Sequence, residues 1–371
     1  MKRAFIYAGA ILSAIILILI IFIILNPNKL LSPGSGATIL EECKTLSYEG
    51  EGAVNILFFS NKNTAKEYSE ILFNIKPFSD NRDFFNFYYI DTYKPECEIY
   101  KGIALFCYSK ELVKKSSSCP NDHIIVINNE NANVRSSSYM NVLSINSQNQ
   151  KTIIAHEFGH NFAYLADEYV PAKLPRKARN CVASCEKFSD KKDGCFEGCS
   201  KENYFRSVNS GIMKSLLSND YGLFNERLIL DKIEEGKQSI TGFVIESVKN
   251  CKNKEYYLIE GEHSDGEIKI KNKNIEKGCV GKNGIGDFNY ALIKTDGSAA
   301  IDGEFNPEFI FTDIDSESGE IIGDVLINEG EFLLKAPVVE DSKSFEILSD
   351  GEVITEINLE GIDNKPCKKL K

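Results

Sequence analysis

The chain has 371 residues, enough for about two domains with full cores. Hydrophobic residues make up 43% and charged residues 26%, the balance of an ordinary globular protein. A formal net charge of −11, with no long Lys/Arg stripe, weighs against a nucleic-acid partner.

Ala4 to Leu25 is an uncharged apolar run of 22 residues. As a helix it would span a bilayer core of about 30 Å. Lys2 and Arg3 precede it, and cytoplasmic flanks favour positive charge. The run predicts a single-pass transmembrane anchor over 1–25, with the N-terminus cytoplasmic and the residues after about 26 extracellular. The rival reading is a cleaved signal peptide. Its apolar core would be about 7–15 residues long, with a small-x-small site that Asn26-Pro27-Asn28 does not supply. The 11 cysteines suit an oxidising exterior, and their odd number leaves one thiol free or paired with another chain. The sequence carries no sign of oligomeric state.

A linker with Pro and Gly breakers follows, taken as 26–46. Residues 53–59, 84–90, 123–128 and 140–145 are rich in aromatic and β-branched side chains and read as strands. Thr64 and Glu67 form a capping-box pattern before an apolar-periodic helix to about Ile75. Ser147 and Gln150 form a second one before residue 152. A cysteine-rich insert, 181–199, and a helix near 225–235 complete a mixed α/β region, 47–238. From Ser239 the texture changes to alternating segments separated by Gly, Asp and Asn turns, which predicts a β-sandwich-like domain over 239–371. The stretch 313–324 resembles a calcium loop only loosely and reads as a solvated β-turn.

The segment TIIAHEFGHNFAYLADEY (152–169) contains HExxH as His156, Glu157 and His160. Residues four apart share one helix face, so both imidazoles can reach one Zn2+ ion. Glu157 can take a proton from a zinc-activated water, as general base in the attack on a carbonyl. Ile154 and Phe158 lie on the opposite side of the helix, where a core can cover them. His123 and His263 read as structural histidines. Asp167 and Glu168 are the natural carboxylate ligands. In an unbroken helix Asp167 would lie about 10 Å along the axis from His160. The helix must therefore end near Asn161–Ala163 and the chain turn back. Geometry does not choose between the two carboxylates.

HEFGHNFAYLADEY resembles the signature of the IgA-peptidase family of zinc metallopeptidases. Upstream, NILFFS (55–60), NFYYIDTYKPE (86–96) and DHIIVINN (122–129) occur in that family's order. The resemblance covers about 50–235. It implies a metzincin-like, α/β zincin-type metallopeptidase domain, here flanked by a transmembrane helix and a C-terminal all-β domain. It implies one catalytic Zn2+ held by His156, His160 and Asp167, with Glu168 the alternative ligand, and Met213 in SGIMKS as the Met-turn methionine. Ordinary metzincin spacing places Gly and the third ligand where this chain has Ala163 and Ala166, so its turn must differ. Ser215 stands where metzincins often carry an oxyanion-binding Tyr, leaving Tyr221 or Tyr169 as substitutes.

Cys181, Cys185, Cys195 and Cys199 could join two short helices through disulfides 181–199 and 185–195, with structural zinc as the rival. The insert's position suggests that it borders the cleft. The function expected is a membrane-anchored extracytoplasmic zinc endopeptidase acting on protein or peptide substrates, held along an edge strand near 137–145. Two alternatives are a catalytically silent surface adhesion or envelope protein that retains the peptidase fold, and a hydrolase of a non-peptide bond.

Overall fold

The computed structural model describes residues 40–188, 192–238, 248–264, 266–314, 321–327 and 329–362. In chain order, β1 (Lys44–Ser47) and β2 (Val54–Phe59) lead to α1 (Lys62–Leu72). Then come β3 (Phe85–Ile90), the hairpin β4 (Glu98–Tyr100) and β5 (Ala104–Phe106), and α2 (Lys110–Ser116). After β6 (His123–Asn128), β7 (Ser137–Tyr139) and β8 (Val142–Asn146) the chain enters α3 (Ile153–Ala163). A hairpin, β9 (Phe196–Cys199) and β10 (Lys201–Arg206), precedes α4 (Leu223–Gln238). The remainder is β: β11 (Glu255–Ser264), β12 (Glu267–Lys277), β13 (Phe288–Lys294), β14 (Ala299–Phe305) and β15 (Phe309–Ile314). It ends with β16 (Ile321–Ile327), β17 (Glu329–Pro337), β18 (Ser342–Ser349) and β19 (Glu352–Asn358).

The largest sheet has eight strands in the order β1-β3-β2-β6-β8-β7-β15-β16. Its centre, β3-β2-β6-β8, is parallel. Parallel strands covered on both faces read as continuous apolar runs, and VNILFF and HIIVIN are such runs. Successive residues serve opposite faces. Ile56, Phe58 and Ile125 enter a core with α1, α3 and α4. Leu57, Phe59 and Ile124 enter a second core with Tyr256, Leu258 and Phe332 of the C-terminal strands.

These strands cover the four segments predicted from sequence. Two helix starts differ from expectation. Asn61, whose side chain accepts from the Thr64 amide, caps α1, because an Asn in extended backbone competes well for that place. The Ser147–Gln150 pattern caps nothing. The helix starts at Ile153 after Thr152, and the Ser147 hydroxyl bonds Asn129.

The expected α/β zincin-type, metzincin-like fold with a transmembrane helix is corrected here. The described residues are mostly β-sheet, in five sheets, with few helices. The physical reason is the second face of the large sheet: C-terminal β-strands bury most of it, with the short α2 adding only Leu112 and Val113. The predicted split into 47–238 and 239–371 falls inside one compact unit, Ile39–Lys371, in which β15 pairs with β7. The anchor run, Ala4–Leu25, lies outside the described residues, as does half of the turn predicted in 313–324, whose ends, 313–314 and 321–324, belong to β15 and β16. Among the described residues no helix is long and apolar enough to cross a membrane. The single-pass, membrane-anchored placement has no support from any described helix and is not carried further. Five disulfides, Cys43–Cys119, Cys97–Cys107, Cys181–Cys199, Cys185–Cys195 and Cys251–Cys279, are compatible with an extracellular location. Cys367 lies outside the described residues.

One buried lysine ties the two halves of the unit together. Lys335 on β17 is 2% exposed, and its Nζ donates to Asn121 Oδ1 at 3.0 Å and to the Ser116 and Ser117 hydroxyls at 3.3 and 3.4 Å. Burial pushes its pKa down to about 7, against the opposing pull of Asp122. Above pH 7 the unfolded chain holds the proton that the folded chain has lost, so stability rises with pH until the unfolded lysine titrates near 10.5. Urea unfolding should show a gain of about 3 kcal/mol between pH 7 and pH 9.5 from this group. Lys335→Met should flatten that slope, and an unchanged slope would assign the proton elsewhere.

Candidate metal centre

His156 and His160 face the same way from α3, one turn apart. The helix stops after Ala163 because Tyr164 takes the left-handed conformation, φ 54° and ψ 37°. The Tyr164 amide then donates to His160 O at 3.1 Å and the Leu165 amide to Gly159 O at 3.2 Å. These two bonds satisfy the last helical carbonyls, with Tyr in the left-handed place where Gly is usual. The turn brings Leu165 O to His160 Nδ1 at 2.6 Å and folds Asp167 back onto both histidines.

Three atoms converge: His156 Nε2, His160 Nε2 and Asp167 Oδ1. The two nitrogens are 3.1 Å apart, and Asp167 Oδ1 lies 3.1 Å from His156 and 3.3 Å from His160. Each Nδ1 faces a backbone carbonyl, Ile212 O at 3.0 Å for His156 and Leu165 O for His160. A carbonyl only accepts, so Nδ1 carries the proton and the neutral ring's Nε2 carries the lone pair. Three lone pairs then face one another in a buried site, and Asp167 Oδ1 has no hydrogen-bond donor. Such a set calls for a cation. The separations are close to the edge of a tetrahedron around zinc, about 3.3–3.4 Å for ligand bonds of about 2.0–2.1 Å. Without a metal a proton must serve. Burial lowers the pKa of His160, but the adjoining Asp167 carboxylate overrides it and pushes the value up to about 10. Burial raises the pKa of Asp167, and the two histidines outweigh it, holding the carboxyl well below the usual range.

Of the two candidate carboxylates, Asp167 joins the histidines and Glu168 turns away. Glu168 Oε1 accepts from Asn225 Nδ2 at 2.8 Å and Asn180 Nδ2 at 3.3 Å, and its amide donates to Met213 O at 2.8 Å. Met213 is fully buried behind α3. A Cβ on Gly159 would lie 2.7 Å from its Sδ, so the glycine between the histidines is what lets the methionine approach. Glu157 is 3% exposed and lines the same small cavity as His160 and Asp167. Burial raises its pKa, with Asp167 adding to the effect and the histidines opposing it.

His123 and His263 stay out of the cluster. His123 bonds Asn161 Oδ1 at 2.6 Å and burial lowers its pKa to about 4, while His263 packs on Phe288. Tyr221, one of the substitutes for an oxyanion tyrosine, spends its hydroxyl on Ala155 O in α3. The tyrosines that line the cavity are Tyr139 and Tyr164, and the sequence gave no signal to Tyr164 beyond its place after the helix.

Cys181 to Cys199 fold as a 3-10 turn and a β-hairpin, not as the expected pair of short helices. All four cysteines are in disulfides. The insert is absent from the cavity lining and braces the ligand loop from behind. Asn180 pairs with both backbone groups of Ala166, and the Ser200 hydroxyl donates to Asp167 O at 2.8 Å. The Cys181–Cys199 bond closes a separation of 18 residues, worth about 3 kcal/mol by loop entropy. Replacing both cysteines by alanine should cost about that in chemical unfolding and weaken metal retention. Unchanged metal retention would remove the bracing role.

β7 is not a free edge. β8 pairs with it on one side, and Ile310 of β15 pairs with Ser138 on the other. An extended substrate cannot add there, because tertiary pairing has filled the place that sequence left open. No protein-family model matches the chain, and a search of curated proteins finds no significant relative.

Proposed function

We propose that the chain is a zinc-dependent endopeptidase acting on protein or peptide substrates. The observation that carries this reading is the convergence of His156 Nε2, His160 Nε2 and Asp167 Oδ1 beside the buried Glu157. The likeness of the HExxH…LADEY stretch to the IgA-peptidase signature supports it at the level of the motif. His156, His160 and Asp167 would hold the ion. Zinc, when bound, supplies a Lewis acid that polarises a carbonyl and makes water acidic near neutral pH.

Glu157 takes the proton from the attacking water and returns it to the leaving amine. Its place on the same cavity wall as His160 and Asp167 suits both halves of that task. The carbonyls of Ile212 and Leu165 fix the tautomer and aim of the two rings. Met213 and Gly159 set the height of α3 above the loop that carries Asp167.

Metal analysis tests this reading. The purified chain should carry about one zinc ion, removable by a chelator, and lose casein cleavage with it. A chain that binds no metal, or cleaves equally well after chelation, would overturn the reading. Tight zinc binding without cleavage of any polypeptide would favour the catalytically silent alternative.

A further inference from the structure

The cavity beside Glu157 measures about 70 Å³. That admits water but falls well short of the roughly 300 Å³ of a small ligand site, let alone a peptide groove. Its outer wall comes from two directions. Ile285, Asn306 and Glu308 belong to the C-terminal β strands and their loops, while Lys173 and Pro175 belong to the loop just after Asp167.

That loop contains the sequence Lys173-Leu174-Pro175-Arg176-Lys177, a basic strap without secondary structure. Each of its three cations meets a carboxylate of the C-terminal strands or their loops. Lys173 pairs with Glu308. Arg176 Nη1 lies 2.8 Å from Asp350 Oδ2, and its Nε lies 3.9 Å from Asp287 Oδ1, a buried oxygen with no hydrogen bond. Lys177 Nζ reaches Glu304 Oε1 at 3.2 Å and Gly286 O at 2.7 Å. Beneath the strap, Asn306 Nδ2 donates to the Tyr164 hydroxyl at 3.3 Å.

An acidic rim therefore borders the candidate catalytic cavity, and a basic stretch of this same chain is seated on it. We propose that the rim formed by Asp287, Glu304, Glu308 and Asp350 is a subsite for a basic segment of a polypeptide, with the strap 173–177 occupying it as an internal stand-in. A substrate carrying Lys or Arg would displace the strap and open the wall above Glu157 and His160. The proposal rests on the endopeptidase reading only for the word substrate; the subsite itself is a binding claim.

The energetics fit a replaceable occupant. The strap's cations are partly exposed, and such pairs each contribute about 0–1 kcal/mol and weaken with salt. Several together hold the strap in place, yet each can be exchanged for an equivalent pair with a second peptide. The strap's apolar hold, Leu174, packs with Ala166, Cys181 and Cys199 on the side of the ligand loop, while its three cations meet the rim through charge.

The test uses the full chain in a Glu157→Gln background, so that nothing is cleaved. The probe is a fluorescent 12-residue peptide containing Lys-Leu-Pro-Arg-Lys, and its control has the three cations changed to Gln. K173Q/R176Q/K177Q should raise affinity for the basic peptide about 10-fold at low salt, by fluorescence anisotropy, and leave the control peptide unchanged. Adding E304Q/E308Q should cancel the gain. No gain, or an equal gain for both peptides, overturns the proposal. If the triple variant does not fold, hydrogen exchange on the Glu157→Gln chain decides: saturating basic peptide should speed exchange at 172–178, and unchanged exchange overturns the idea. Binding that follows this pattern in a chain that never cleaves keeps the subsite and removes the peptidase.

Discussion

Replacing Glu157 with Gln is expected to cut polypeptide hydrolysis by about 10²–10⁴-fold while leaving about one zinc ion per chain. The side chain keeps its volume, so the packing around a residue only 3% exposed is preserved. What is lost is the only group of the cluster free to accept a proton. The two Nε2 atoms and Asp167 Oδ1 point at one another, whereas Glu157 lies beside them on the same cavity wall. The pH profile offers a second readout. If Glu157 is the base, the acid limb of kcat/KM that it produces should be missing from the residual activity of the Gln variant. Undiminished cleavage by the Gln variant would remove Glu157 from the mechanism. Loss of metal along with activity would make its role structural.

Asp167→Asn and Glu168→Gln form the second pair, and opposite outcomes are expected. The Asp167 change removes the one anionic ligand and should lower zinc affinity at least about 10²-fold, measured by competition with a chromogenic chelator. It also removes the carboxylate that pushes the pKa of His160 up, so the metal-free variant should release its imidazole proton at lower pH, visible by NMR of the ring. Glu168→Gln should keep zinc within a few-fold. Its carboxyl is turned to Asn180 and Asn225, and an amide oxygen can still accept from both. Metal loss from the Gln variant with retention in Asp167→Asn would reverse the assignment.

How much of this was legible in the sequence differs from residue to residue. HExxH placed His156, Glu157 and His160 on one helix because the helical repeat is a local property, independent of what packs around it. The apolar runs at 53–59 and 123–128 announced strands, and the structure covers those strands on both faces. The need for a chain reversal after His160 also followed from helix rise alone. Which carboxylate the reversal delivers did not, because it depends on Tyr164 adopting a left-handed conformation and on Asn180 and Ser200 gripping the loop from 14 and 33 residues away. Nor could the sequence say what buries the second face of the large sheet. Alternating strands after residue 255 read equally well as a separate domain, since their pattern records that one face is covered and not by what.

By itself, then, the sequence determined the chemistry-bearing triplet on α3 and the central strands. Local periodicity and residue chemistry suffice for those. Only the tertiary structure decided that Asp167 and not Glu168 faces the histidines, that β7 is not a free edge, and that the C-terminal strands wall the cavity through Ile285, Asn306 and Glu308. Each of these is a contact between residues far apart in the chain, fixed by which surfaces must be buried together. No local pattern encodes that choice.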